Sequence, residues 1–418
     1  MSNSLGPHER GPKPAERGSA TPKKAAQREW SPLFWTGMSF GGWCRLLRRN
    51  GYDFDWRFTH NVLAITLCSA FHSLYRRWNW FWMGRHAAKV QIVHEPLFIV
   101  GHWRAGTTLL HELLVLDERH TSPTTYECLV PNHFLASEDF VRRWLTFLLP
   151  THRPMDNMLA GWDRPQEDEF ALCNLGLPSP YLRIAFPNRT PQDTEYLTLE
   201  GLSPDELERW KQGFLGFLRQ ITYRTPKRIV LKSPPHTARI KTLLELFPRA
   251  RFVHIVRDPF ALFPSTMNLW TTLYRRHGLQ VPQFEGLEEQ VFETLERMYE
   301  RFEADRELIA PERFYELRYE DLVRDPIGNV QMIYEKLGLG EFDGILPALE
   351  KYVAETKGYQ TNCYEITPQQ RGEISRRWAG YVRQYGYLGE PDSGRGEEGK
   401  RGRGETRVIA DCGLRIAD

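Results

Sequence analysis

The run Pro96 to Leu116, PLFIVGHWRAGTTLLHELLVL, constrains the fold more than any other part of this 418-residue chain. Leu97, Phe98, Ile99 and Val100 are consecutive apolar residues without polar alternation, the pattern of a strand covered on both faces. Gly101 ends that run and Gly106 closes a turn. Thr107, Thr108, Leu109, Leu110, Leu113 and Leu114 then place apolar residues at helical spacing. A strand, a tight loop and a helix N-terminus make an anion site, because the first backbone N–H groups of the helix are unpaired and its dipole is positive there.

The pattern repeats downstream. Arg228 to Ser233 reads as a second buried strand, a helix follows over 236–247, and Arg251 to Arg257 reads as a third strand. Phe314 to Tyr319 reads as a fourth. Strands alternating with helices predict an α/β fold, a three-layer sandwich with a central parallel sheet, resembling P-loop nucleotide-binding proteins. Ligands of such sheets bind at the carboxyl ends of the strands. Arg104, Lys232 and Arg257 all fall at that edge, where three positive charges can converge on one polyanion. Between the first two strands, a basic, aromatic helix is expected over 138–149. Ser203, Pro204 and Glu206 form a capping box that opens an amphipathic helix over 203–220.

The first loop has the G-x-x-x-x-G spacing of a phosphate loop, but Thr107-Thr108 stands where a Walker A loop has Lys-[Ser/Thr]. Arg104 offers a permanently charged fork instead. R-[SA]-G-T-T-L after a strand resembles the 5′-phosphosulfate loop of sulfotransferases that use 3′-phosphoadenosine 5′-phosphosulfate (PAPS). A second motif agrees: Arg257-Asp258-Pro259 ends the third strand, and Ser265 follows Arg257 by eight residues, as in the family's 3′-phosphate site. Tyr319-Glu320-Asp321-Leu322 is similar to the family's Y-E-D-[LM], whose tyrosine lines the adenosine site. Lys357-Gly358 and Trp378 fall where the family has a late phosphate loop and a closing helix.

The resemblance spans roughly residues 95–388 and implies PAPS as co-substrate and no metal. It implies that Arg104, Ala105, Gly106, Thr107, Thr108, Arg257, Ser265 and Tyr319 bind the nucleotide, with Arg104 and Lys232 holding the sulfuryl and bridging oxygens. The base departs from the cytosolic branch, which has K-T-H-L after the second strand. Lys232-Ser233-Pro234-Pro235-His236 puts proline at that position. The motif style is closer to the R-[SA]-G-T-T branch, whose members use a glutamate on the segment after the first helix. Glu127 lies at that distance from Arg104, and His236 is the competing candidate. Glu167-Asp168-Glu169, after Pro165, reads as the first turn of a helix, its acids complementing the helix dipole rather than holding a metal.

Two rival functions fit the residues less well. A nucleotide kinase or NTPase lacks its Walker lysine here, and Lys232 stands where a Walker B acid belongs. A membrane-associated nucleotide-binding protein without turnover has no physical need for Arg104, Lys232, Arg257 and Ser265 together. The acceptor is read only as a small molecule, lipid or glycan, with no nucleic acid partner, and the oligomeric state is not legible.

The formal net charge is +2. Residues 1–50 hold nine Lys/Arg against three Asp/Glu, net +6, leaving about −4 for the remainder. Residues 1–30 are poor in large apolar side chains and are expected to be a disordered basic arm; a flexible tail is expected over 389–418. No apolar stretch of signal-peptide type follows the basic start, and the six scattered cysteines show no pairing pattern, so a cytoplasmic protein with reduced thiols is expected. Residues 31–94 read as an N-terminal helical segment. Within it, residues 58–75 carry no charged side chain and run into Arg76, Arg77, Trp78, Trp80, Phe81 and Trp82. That pattern suits a helix packed on the domain or an interfacial helix, a peripheral membrane contact over 58–82, better than a span.

Overall fold

The computed structural model describes residues 33–144, 161–356, 364–387 and 408–409. The basic arm, Lys357-Gly358 and nearly all of the C-terminal tail lie outside the described residues. The central sheet is parallel and five-stranded, with β1 (Leu97–Val100), β2 (His120–Thr121), β3 (Arg228–Lys232), β4 (Arg251–Val256) and β5 (Phe314–Arg318) in the order β2-β3-β1-β4-β5. β1, fully buried, sits at the centre with Ile99 abreast of Lys232 and Val100 abreast of His254. The chain builds one side of β1 with β2 and β3, then crosses to the other with β4 and β5. The loops diverge at that reversal, leaving a crevice at the carboxyl ends.

Several expected elements shift for identifiable reasons. β2 is only two residues long and carries no strand pattern of its own. The expected helix over 236–247 begins instead as a 3₁₀ turn, Pro234–Ala238, and becomes α-helical only at Ile240–Leu246. Two adjacent prolines lack the N–H groups a regular helix start would use. The basic, aromatic helix begins at Phe134, earlier than expected, the last part of its expected range lying outside the described residues, and Tyr319 opens the helix Tyr319–Arg324 rather than ending β5. The Ser203/Glu206 capping box forms and its helix extends to Arg224. Asp258 caps, and Pro259 begins, the helix Pro259–His277.

The N-terminal segment shares the core of the sheet. Trp35 and Trp43 are fully buried, Trp35 Nε1 donates to the carbonyl of His277 (2.9 Å), and Ser39 N donates to that of Asn174 (2.8 Å). Helices Phe40–Arg49 and Thr59–Asn79 follow, the second continuing through a π-helical turn at Trp80–Gly84. Among the described residues no helix is long and apolar enough to cross a membrane. Cys44, Cys68, Cys128 and Cys173 are free thiols.

Candidate active site

The loop after β1 is forced into its shape by what presses on it. Gly106 has φ 95°, and a Cβ there would sit 2.3 Å from Cδ2 of Tyr319. Gly101 has φ 150°, and its Cβ would lie 2.5 Å from the carbonyl oxygen of Ile255 on β4. Both positions therefore require glycine. Between them Arg104 takes φ 69°, a left-handed conformation rare for a side chain of this size. The turn leaves Gly106 as the N-cap of helix Thr107–Leu114, with no side-chain cap on its first N–H groups.

Around this loop the residues singled out by sequence come together. Arg104 Nε donates to Ser265 Oγ (2.9 Å), and Arg257 Nη1 donates to the carbonyl of Arg104 (2.9 Å). The Arg257 guanidinium lies over the Tyr319 ring, 4.3 Å from its centre. Ser265 thus meets Arg104, and all three border one loop. Arg257 is fixed from behind as well, since the Tyr381 hydroxyl donates to its carbonyl and accepts from its N–H, both at 3.0 Å. Ala105 is fully buried under the turn. Trp378 is core: it is buried among Phe263 and Phe292, with Nε1 donating to the carbonyl of Phe292 (3.3 Å).

Of the three consecutive acids, Asp168 and Glu169 lie in the first turn of a helix as expected and Glu167 is its N-cap, but the helix starts later than Pro165. Pro165 pairs as an isolated bridge with Thr124, and the helix begins only at Asp168. Each acid meets one basic side chain from the end of β3 or the segment after it. Lys232 Nζ donates to Glu167 Oε1 (2.7 Å), His236 Nε2 donates to Asp168 Oδ2 (2.8 Å), and Arg239 Nη1 donates to Glu169 Oε2 (2.6 Å). The second and third pairs are wholly inaccessible. Burial works against the Asp168 charge, but His236, Ser233 and Arg239 outweigh it and hold the carboxyl below its ordinary range. His236 is therefore locked to Asp168, beneath the surface.

Glu167 keeps some exposure and joins the loop through a chain of hydrogen bonds. The Tyr181 hydroxyl donates to Glu167 Oε2 (2.5 Å), and Trp103 Nε1, within the loop, donates to the Tyr181 oxygen (2.9 Å). Trp103, Tyr181, Glu167 and Lys232 thus form one connected series at the carboxyl edge. Glu127 is engaged elsewhere: its carboxylate accepts from Thr124 N (2.8 Å) as the outer half of a capping box on helix Thr125–Leu129. Burial, reinforced by the nearby Glu138, pushes its pKa up to about 7. A cavity of about 720 Å³ opens beside these elements, bordered by Glu112, Ser122, Thr124, Trp162, Arg164 and Tyr352. Among the described residues no cluster of His, Cys, Asp and Glu could hold a metal.

The sulfotransferase family profile matches residues 96–343. The omega-hydroxy-beta-dihydromenaquinone-9 sulfotransferase Stf3 of Mycobacterium bovis is 49% identical over 360 residues, 86% of this chain and 92% of that protein. Its counterpart in Mycobacterium tuberculosis gives the same figures. The solved sulfotransferase STF9 from Mycobacterium avium superposes with a TM-score of 0.58 at 21% identity, covering 83% of this chain and 96% of that one. STF1 from Mycobacterium tuberculosis gives 0.54 at 19%, covering 82% and 94%. At those identities the two structures establish the fold.

Proposed function

This chain belongs to the sulfotransferase family, and we propose that it moves the sulfuryl group of PAPS to a hydroxyl group of an apolar lipid, with Glu167 as the general base. The observation that carries the mechanism is the 2.7 Å contact between Lys232 and Glu167 beside the anion loop. It puts a proton acceptor and a cation for the leaving group within one hydrogen bond of each other. The lipid class rests on the printed substrate of the relative that is 49% identical, a menaquinone derivative bearing a hydroxyl.

The backbone N–H groups of Gly106, Thr107 and Thr108 cradle the donor's 5′-phosphate, and the threonine hydroxyls add donors. Arg257, with Ser265 and Arg104 beside it, meets the 3′-phosphate, while Tyr319 supports the adenosine side. Lys232 has three N–H donors, so it can keep one on Glu167 while another meets the bridging oxygen. The acceptor O–H gives its proton to the Glu167 carboxylate as its oxygen bonds to sulfur. The bond from sulfur to the bridging oxygen breaks, and adenosine 3′,5′-bisphosphate leaves with the electron pair, its growing charge met by Lys232 and Arg104. Tyr181 holds the other carboxylate oxygen and so aims the base. The cavity bounded by Arg164, close in sequence to Glu167, offers room for the acceptor's reacting end. An acceptor of this class resides in a bilayer, so the enzyme meets it at a membrane surface.

The test is a titration with three nucleotides followed by a transfer assay. Adenosine 3′,5′-bisphosphate should raise the melting temperature well beyond ATP with Mg²⁺. Arg257→Ala should weaken the bisphosphate about 10- to 150-fold, the 1.5–3 kcal/mol of a hydrogen bond to a charged group, and leave adenosine 5′-monophosphate nearly unchanged. Equal losses for both ligands would remove Arg257 from the 3′-phosphate. Absence of label transfer from PAPS to a lipid extract by wild-type protein that binds the bisphosphate would overturn the lipid acceptor alone.

A further inference from the structure

Helix Thr59–Asn79 is built inside out. The side it turns to the protein includes Val62 and Ile65 but is otherwise polar: Thr66 accepts from Trp43 Nε1 (2.9 Å), Ser69 is buried, His72 meets His133 (2.6 Å), and Ser73 accepts from Phe40 N (2.8 Å). The side it turns to water carries Leu63, Leu67, Phe71, Leu74 and Trp78, spaced by four, four, three and four residues in a single stripe. Leu67 is 74% exposed and Leu74 69%. Trp80, Phe81 and Trp82 extend the apolar surface over the following π-helical turn, and Trp56 precedes it at 79% exposure. Apolar residues scattered singly on a surface need no explanation, but eight large ones on one continuous element do.

The charge around them names the partner. From Trp56 to His94 the chain contains no Asp or Glu, while Arg57, Arg76, Arg77, Arg85 and Lys89 are all exposed. A second protein copy would bring the same cations face to face and repel. A bilayer with anionic head groups satisfies both parts, taking the leucines into its acyl boundary, the tryptophans at head-group level and the arginines against the phosphates. The helix is too short of apolar residues to cross. We propose that residues 56–89 form a monotopic docking surface that lays the enzyme on an anionic lipid membrane. The proposal rests on the lipid-acceptor reading for its purpose and on the surface itself for its evidence. The same element is coupled to the site: it packs on the 3₁₀ turn Phe34–Gly37, where the Phe34 ring packs at a tilt against Phe170 (centres 4.3 Å apart), in the helix whose N-cap is Glu167.

The experiment is sedimentation of the full chain with vesicles of phosphatidylcholine alone and of phosphatidylcholine with phosphatidylglycerol. Wild type should pellet with the anionic vesicles and largely release in high salt, because basic residues share the binding with the apolar stripe. Leu67→Ser/Phe71→Ser, both at exposed positions, should reduce binding about tenfold or more. The melting shift caused by adenosine 3′,5′-bisphosphate without vesicles should be the same in both proteins, which keeps failure of the docking surface separate from failure of the enzyme reading. No sedimentation of wild type overturns the proposal, as does equal sedimentation of the variant. A wild-type dimer in light scattering that the variant abolishes, with no vesicle binding by either, overturns it in favour of a second copy.

Discussion

Glu167→Gln lowers the single-turnover rate of sulfuryl transfer by about 10²–10⁴-fold, the usual contribution of a positioned general base, while affinity for adenosine 3′,5′-bisphosphate stays within about threefold. Glutamine preserves the size of the side chain and can still accept from Tyr181, so the loss is that of a proton acceptor rather than of the site. Glu127→Gln is the paired measurement. Burial raises the Glu127 pKa from 4.5 to about 7, so the folded protein binds more protons there than the unfolded chain between those values. Stability contributed at this position is therefore lost as pH rises from about 4.5 to 7. Glu127→Gln should remove that decline, raising the melting temperature at pH 8 more than at pH 4.5, with turnover nearly intact. A near-normal rate for Glu167→Gln beside a collapsed rate for Glu127→Gln would return the base to Glu127.

Arg239→Met should cost about 3–5 kcal/mol of folding stability, the scale of breaking one partner out of a buried ion pair. Glu169 is left with no exposure and with the Ser179 hydroxyl (2.6 Å) as its remaining side-chain donor. Arg239 also donates to the carbonyl of Tyr196 and lies over the Trp210 ring at 5.0 Å, so its removal opens several contacts at once. Glu169→Leu combined with Arg239→Met should recover part of the loss, because no uncompensated charge then stays buried. Urea unfolding of the two variants checks this, and a single variant within about 1 kcal/mol of wild type would place the pair outside the stability-determining contacts.

The sheet was legible because β1 is an uninterrupted apolar run and β3 and β4 are built around short apolar runs without polar alternation, the pattern of strands buried on both faces. β2 was not, since two residues carry no periodicity. The anion loop was equally legible: Gly101, Arg104, Gly106 and the threonines are neighbours in sequence, and their geometry is local. Ser265 and Tyr319, singled out through the spacing of the family motifs, border that loop in the structure. The acid row was legible only in part: Asp168 and Glu169 do lie in the first turn of a helix, but their ion partners were not foreseen. Three acids at a helix start satisfy a local rule about helix dipoles, and that rule hides a long-range one. Their partners lie 65 to 70 residues away. The signal available was the matching basic series at 232, 236 and 239, which faces the acids only once the start of helix Asp168–Leu175 is laid against the segment after β3.

The core shared between the N-terminal helices and the sheet separates two quantities that coincide in many enzymes, the unit of inheritance and the unit of folding. The stretch common to the family runs from 96 to 343, yet Trp35 and Trp43 are fully buried before it, and Ile374, Trp378 and Tyr381 are buried after it. Tyr381 holds both backbone groups of Arg257, so the end of β4 depends on a helix beyond that stretch. A fragment trimmed to the shared residues would carry the anion loop and the Arg257/Ser265 motif and still present raw core to water at both ends. Recombination that exchanges this domain among relatives must therefore move the flanking helices with it, or supply substitutes that fill the same tryptophan sockets.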